Sequence, residues 1–192
     1  MESQIKEQSL QSHLDTSDTI VYKDISDAGI NEDIVRKISL SNNDPAWMLE
    51  LRLKALEVFQ SKSLPTWGPD LGGLDLDAIR YFAKADVEGD RKSWEDVPDD
   101  IKRTFDRLGI PEAEKAMLAG VGAQYDSEVV YHSLRQELQD LGVIFEDMSV
   151  AIHSHEELVR KHFMRAIPIS DHKFAALHAA VWSGGTFLYV PK

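Results

Sequence analysis

The segment from Asp44 to Lys62 constrains the fold most, because it carries the longest apolar stripe at helical spacing in the chain. Asp44 and Pro45 form a typical helix start, with Asp as the cap and Pro at the first helical position, where its missing N–H costs nothing. The wide apolar stripe that follows consists of Trp47, Met48, Leu51, Ala55, Leu56, Val58 and Phe59. A helix running to about Lys62 is therefore expected to anchor the core.

The rest of the pattern predicts about seven helices in all, few strands and no internal repeat. A short helix is expected after Gly29, with Asn31 as its cap. Further helices are expected from Pro98, from Pro111, over 134–141 with Gly142 as the stop, over 155–163 and over 174–181. Candidate strands are 79–83 (where Asp77 could equally cap one helical turn), 129–131, 143–145 and 186–190, and residues 120–125 are expected to form a flexible connection.

The last candidate strand, 186–190, follows two glycines and consists largely of strand-forming residues. A strand needs partners, and the candidate strands before it are short. The chain is therefore expected to stop at an architectural boundary.

Charge and composition exclude several classes of protein. Asp and Glu number 33 against 21 Lys and Arg, so the formal net charge is −12. A groove that tracks phosphates would have to form against this field, and no nucleic-acid partner is expected. No run of about 18 apolar residues is present, so no membrane partner is expected either.

Cysteine is absent, which excludes disulfides, thiol nucleophiles and thiolate-held metals or iron–sulfur clusters in this chain. The first 19 residues are rich in Ser, Gln and Asp and predict a mobile tail. They contain no apolar signal region, so a cytoplasmic location is expected.

The densest group of possible metal ligands is His153, His155 and His162. A zinc-protease pattern needs a second His four residues after the first, and that position after His155 holds Val159. On a helix, His155 and His162 would lie about 10.5 Å apart along the axis, too far for one zinc with bonds of about 2 Å. A solvated helix face is therefore favoured over a metal site.

Other catalytic patterns are incomplete. Gly120 and Gly122 begin a dinucleotide fingerprint, but Tyr125 replaces its third glycine. Ser183 lacks the Gly-x-Ser-x-Gly elbow of a hydrolase. No catalytic, cofactor-binding or metal-binding residue is predicted, and the chain is not expected to be an enzyme.

Four tryptophans could pack in the core or contact a partner. Trp47 lies on the apolar stripe and is expected in the core. Trp67 lies in a Pro/Gly turn and Trp94 follows a helix cap, so each could be a packed loop anchor or a partner-binding anchor. Packing is favoured for both.

Five blocks stand in order between about residue 20 and the end: PAWMLELRLKAL (45–56), WGPDL (67–71), IPEAE (110–114), AGVGAQYDSEVVYH (119–132) and KFAALHAAVWSGGTFLYVPK (173–192). Together they resemble the N-terminal part of the SufB family of iron–sulfur cluster assembly scaffolds, of the Gram-positive type. No single block is a catalytic motif, but their joint occurrence is specific.

The resemblance implies an α+β fold, in which a mostly α-helical N-terminal domain leads into the first strand of a right-handed parallel β-helix that is missing from this chain. After the tail that composition predicts at 1–19, it implies a helical domain at 20–170, and a helix and first strand at 171–192, at the entry to the β-helix.

The resemblance also implies partners in a SufB–SufC–SufD complex: a SufC-type ATPase, a SufD-type homologue, and a cysteine desulfurase with its sulfur-transfer proteins. The iron–sulfur cluster is expected on the complete family protein, and its ligands would lie outside this chain, so no site residue is carried over. Two alternatives stay open. One is a small metal-dependent enzyme using His153, His155 and His162, and the other is an acidic protein-interaction module.

Overall fold

The chain consists of helices and short strands, which do not strictly alternate. The computed structural model describes residues 22–85, 99, 102–103, 120–125 and 128–192. The helices named in this part are α1 (Glu32–Ser41), α2 (Ala46–Ser61), α3 (Gln136–Asp140), α4 (Met148–Ser154), α5 (Glu156–His162) and α6 (Lys173–Val181). The strands are β1 (Tyr22–Ile25), β2 (Ala83–Ala85), β3 (Gly120–Tyr125), β4 (Glu128–Leu134), β5 (Ile144–Asp147) and β6 (Thr186–Tyr189).

Asn31 caps α1, as the sequence predicts. Its side-chain oxygen accepts a hydrogen bond from the Ile34 N–H at 2.9 Å, which satisfies one of the amides that a helix start leaves unpaired. Ile34, Val35 and Ile38 are buried along one side of the helix. The predicted helix and its cap are confirmed.

The start of α2 differs from the prediction in two respects. The helix covers nearly the predicted span, but Pro45 occupies the capping position and not the first helical position, and no side chain caps the helix. The Asp44 carboxylate instead accepts a hydrogen bond from Arg52 Nε at 2.6 Å. The predicted capping role of Asp44 is therefore wrong, because a buried guanidinium needs a counter-charge more than a helix amide needs a cap.

Helices α2 and α6 pack together along a seam of small side chains. The buried residues of α6 are four alanines, Ala175, Ala176, Ala179 and Ala180. Three of these join Val35 of α1 and larger residues of α2 in one buried cluster, which contains Ala55, Leu56 and Phe59. Small side chains on one helix allow a short distance between the two helix axes. The predicted C-terminal helix is confirmed, and α6 belongs to the core.

A second buried cluster surrounds the first half of α2. Met48 packs there with Trp182 and with residues of α4 and α5, namely Ala151, Ile152 and Val159. Phe187 of β6 and Trp47 pack against this cluster. Trp47 is partly buried at the edge of this core and not inside it, and the last strand shares a core with the helices.

The six strands pair antiparallel in three two-stranded sheets, β1–β2, β3–β4 and β5–β6. Strand β3 occupies 120–125, so the expected flexible connection there is wrong: pairing with β4 holds this glycine-rich stretch extended. Strand β4 confirms the extended segment predicted at 129–131. The strand candidate at 79–83 lies slightly too early, because β2 begins at Ala83 and Arg80 makes only a single bridge to Gly29.

The chain turns into the last sheet at Gly142. This residue has φ +80° and follows α3, as expected for the glycine that ends a helix. Strand β5 then pairs with β6 over four positions, from Ile144 opposite Tyr189 to Asp147 opposite Thr186. The terminal strand thus has one partner within the chain, and no other strand in the described ranges pairs with its second edge.

Some predicted features lie outside the described residues. These are the tail at 1–19, the helix from Pro111 and the surroundings of Trp94. The helix expected from Pro98 is described only at Asp99, Lys102 and Arg103, which are helical. Among the helices that can be described, none combines the length and the apolar character needed to cross a membrane.

We expect the second edge of β6 to make the purified chain self-associate. A strand edge that no neighbour covers offers its N–H and C=O groups to another chain. The hydrogen bond from Met148 N–H to Gly185 C=O, at 3.0 Å, fixes the alternation of the β5–β6 ladder. The backbone groups of Leu188 therefore point away from β5, and its side chain is 59% exposed.

Leu188→Pro removes one outward N–H and should shift the chain toward monomer in sedimentation velocity. Leu188→Thr is the matched control, because it also removes the leucine but keeps the N–H, and it should leave the association in place. Equal effects of the two substitutions, or a wild-type chain that is monomeric at every concentration, would contradict this prediction.

Candidate functional site

The fold does not bring His153, His155 and His162 together. His153 is exposed in α4 and His162 is exposed at the end of α5. His155 lies between the two helices, where its Nε2 is 3.6 Å from Glu146 Oε2 and its ring stacks on Phe187. In the part of the chain that the structure covers, no three His, Asp or Glu side chains could hold a metal ion together. The geometry therefore gives no support to a metal-dependent enzyme at these histidines.

Arg52 is a fully buried charge on the inner face of α2. Its Nε donates to Asp44 Oδ2 at 2.6 Å, and neither side chain has any exposed surface. Its Nη1 donates to the carbonyl oxygens of Ala180, at 3.2 Å, and Trp182, at 2.7 Å. Carbonyls at the end of a helix lack partners within the helix. Arg52 therefore supplies donors where α6 ends and fixes the direction in which the chain leaves it.

The Trp182 ring completes the surroundings of this charge, with its centre 4.5 Å from the guanidinium carbon. A cation over an indole face is attracted by the ring quadrupole. Burial lowers the pKa of Arg52 below its ordinary value, and the hydrogen bond and negative charge of Asp44 oppose that shift.

Lys173 contacts backbone carbonyls at the opposite end of the pair formed by α2 and α6. Its Nζ donates to the carbonyl oxygens of Phe59, at 2.7 Å, and Lys62, at 2.8 Å, where α2 ends. The ammonium also lies 4.2 Å from the centre of the Phe59 ring. Each helix thus supplies a cation to the carbonyl end of the other. Because each cation reaches the carbonyl end of the other helix, α2 and α6 run antiparallel.

The sequence analysis did not single out Arg52, although a signal was present. Arg52 lies four residues after Met48 and three before Ala55, so it falls on the apolar face of the predicted helix. A single charge at such a position indicates a buried ion pair, and the nearest preceding carboxylates, Glu50 and Asp44, are the first candidates. Only the structure shows that Asp44 is the partner.

The favoured packing of Trp67 is wrong. Its side chain is 62% exposed, and its described ring contact is an edge contact with His172 at a centroid distance of 5.4 Å. The glycines and prolines around it predict a turn but not which side of the turn faces the core. The partner-binding alternative for Trp67 stays open.

Two open grooves flank residues 163–169, the segment that follows α5 and leads toward α6. The first groove, about 410 Å³, faces α2, and its lining includes Trp47, Glu50, Lys54, Arg160 and Arg165. The second, about 470 Å³, faces α6, and its lining includes His162, Arg165, Ile167, His172, Phe174 and His178. Met164 and Arg165 line both grooves, so we treat them as one surface, the linker surface.

Arg52→Ala should cost about 3–5 kcal/mol in the free energy of unfolding, because it leaves the Asp44 carboxylate buried without a counter-charge. Arg36→Ala is the matched control. The Arg36–Glu32 ion pair has the same 2.6 Å separation as Arg52–Asp44, but its side chains are 50% and 61% exposed. Its loss should cost only about 0.5 kcal/mol. Urea unfolding followed by circular dichroism measures both, and similar costs for the two variants would contradict the prediction.

Trp67→Ala should change the free energy of unfolding by less than about 1 kcal/mol, because exposed side chains contribute little to stability. Trp182→Ala removes the same side chain from a site that is only 6% exposed. It should cost about 3–5 kcal/mol. Urea unfolding of both variants is the measurement, and a large cost at Trp67 would mean that the turn packs more tightly than its exposure indicates.

Several known proteins are similar in sequence to most of this chain. No protein-family model matches the chain. It is 53% identical over 167 residues to iron–sulfur cluster assembly SufBD family proteins of Staphylococcus aureus (strain USA300) and Staphylococcus epidermidis. The match covers 87% of this chain but 36% of each relative, so the chain spans about a third of the length of these curated relatives. This identity confirms the resemblance at the level of the family: over 87% of its length the chain is similar to a segment of iron–sulfur cluster assembly SufBD family proteins.

Proposed function

We propose that this chain is the N-terminal, non-catalytic region of a SufB-type scaffold on which iron–sulfur clusters are assembled. The observation that carries the proposal is the 53% identity over 87% of the chain to proteins named for iron–sulfur cluster assembly. The matched segment is 36% of each relative, so the larger part of each relative lies outside this segment.

The chemistry of the side chains supports a role without cluster ligands. Cluster irons are held mainly by Cys thiolates, and the chain contains no cysteine. The described residues also lack any group of three His, Asp or Glu side chains placed to hold a metal. The side chains described do not fit an iron–sulfur cluster. In this proposal the cluster is therefore a cargo held outside this chain.

The proposed work of the helical region is to orient the chain that follows it. Arg52 holds the end of α6 at the Trp182 carbonyl, and β5 then pairs with β6 in a fixed register. In this proposal β6 is the first strand of a right-handed parallel β-helix, and its second edge receives the next coil. The Arg52–Asp44 ion pair, the carbonyl contacts of Arg52 and the buried cluster around Met48 support a fixed orientation of the chain where it leaves α6.

The proposed partners follow from the family. They are a SufC-type ATPase, a SufD-type homologue, and a cysteine desulfurase with its sulfur-transfer proteins, all in the cytoplasm. Sulfur would come from the desulfurase and ATP would be hydrolysed by the ATPase, so this chain itself needs no catalytic residue.

A segment exchange tests the proposal. In a cell that depends on the Staphylococcus aureus relative, the matched 167-residue segment of this chain replaces the corresponding segment of that relative. The chimera should support growth and the activity of iron–sulfur enzymes. The same segment placed in a SufD-type homologue should not, because the proposal assigns the chain to the SufB type.

Two variants of the chimera test whether the helical region must orient the chain that follows it or need only be present. Arg52→Ala should lower the activity of iron–sulfur enzymes in these cells, whereas Arg36→Ala, which breaks the exposed pair, should not. The ATPase should co-purify with the active chimera. A chimera that is folded and abundant but inactive would contradict the proposed function, and one that works equally well in the SufD-type homologue would contradict the SufB assignment.

A further inference from the structure

The linker surface is cationic although the chain as a whole is acidic. The groove toward α2 carries Lys54, Arg160 and Arg165 against one carboxylate, Glu50. The groove toward α6 carries Arg165, and no carboxylate lines it. The whole chain has a net charge of −12, so a surface with this excess of cations departs strongly from the average.

The cations of this surface differ in whether a partner in the chain already uses them. Arg160 is paired with Glu156 at 3.2 Å, and its guanidinium carbon lies 5.3 Å from the centre of the Trp47 ring. Lys54 and Arg165 are exposed, and neither forms an ion pair with another residue that the structure covers. These two cations stand at the linker surface and are available to a carboxylate from another molecule.

Apolar groups lie between the cations. Ile167 is 58% exposed in the linker segment, and Phe174 forms part of the wall of the α6 groove. Trp67 contacts His172, which also lines this groove, so an exposed indole stands at its rim. Large apolar side chains beside unpaired cations are typical of a surface that anchors a partner by one or two side chains.

We propose that the linker surface docks an acidic amphipathic segment of a partner protein. Its apolar side chains would enter the α6 groove against Ile167 and Phe174 and the α2 groove against Phe163. Its carboxylates would pair with Arg165 and Lys54. Arg165 lines both grooves, so one guanidinium can hold a carboxylate between the two apolar contacts. The proposal rests on this surface alone and does not depend on the role in cluster assembly.

Charge complementarity at short range favours this occupant. At long range the net charge of −12 repels an acidic segment as it repels a second copy of the chain. A short acidic segment carries less charge, and within a Debye length of about 8 Å the local cations decide its interaction. A basic segment would meet the like charges of Lys54, Arg160 and Arg165 at the surface itself.

Peptide binding to the whole chain tests the proposal. The probe is a fluorescein-labelled peptide of about four helical turns, with Leu and Phe on one face and Glu elsewhere. The matched peptide has Lys in place of every Glu. We expect the acidic peptide to bind at least about tenfold more tightly in fluorescence anisotropy, since loss of one well-placed charge contact is worth about that factor.

Variants locate the binding site. Arg165→Glu and, independently, Lys54→Glu should each weaken the acidic peptide about tenfold or more, and Ile167→Ser should weaken it by a smaller factor. Arg36→Glu, an identical charge reversal outside the lining, should change the affinity by less than about twofold. Circular dichroism confirms that each variant is folded, and two independent reversals keep the test valid if one variant is not.

Three results would overturn the proposal. The first is no saturable binding of the acidic peptide, and the second is equal or tighter binding of the Lys peptide. The third is self-association of the chain that Arg165→Glu abolishes and Leu188→Pro does not, which would make a second copy the occupant of the linker surface.

Discussion

A guanidinium withdrawn from water needs both a counter-charge and hydrogen-bond acceptors, and Arg52 obtains them from two distant parts of the sequence. Asp44 lies 8 residues before Arg52, whereas Ala180 and Trp182, whose carbonyls it contacts, lie 128 and 130 residues after it. Displacing any of them would leave charge or polar atoms buried without partners, at a cost of several kcal/mol. The turn before α2 and the end of α6 are therefore coupled, and the helices cannot adopt another relative position cheaply.

Lys173 extends this coupling to the other end of the pair, so α2 and α6 form a platform that is held at both ends. The linker segment between α5 and α6 is supported by this platform. Val159 of α5 belongs to the second cluster and Ala176 of α6 to the first, so both flanks are anchored in the core. Arg165 and Ile167 are thus exposed on a segment whose ends are fixed, which suits recognition better than a long free loop does.

The helices could be predicted because their signals are local: Asn31 caps α1, an apolar stripe marks α2, and Gly142 follows α3. The ion-pair partner of Asp44 and the exposure of Trp67 could not be predicted from the sequence. A carboxylate before a proline suits a cap or an ion pair equally well until the position of Arg52 in three dimensions is known. The linker surface was not predicted either, since its cations come from α2, α5 and the linker, and no spacing in the sequence brings them together.

The short connection between α6 and β6 has a consequence for how the chain can vary in length. The Trp182 carbonyl is held by Arg52 and the Gly185 carbonyl by the Met148 N–H, so the two residues between these points span a fixed distance. An insertion or deletion here would shift β6 against β5 and turn each side chain to the opposite face. In the turn-rich stretch 63–74 the described hydrogen bonds, from Gly72 to Asp70 and from Leu74 to Leu71, join only near neighbours. Changes in length between related chains should therefore gather there and spare 183–184.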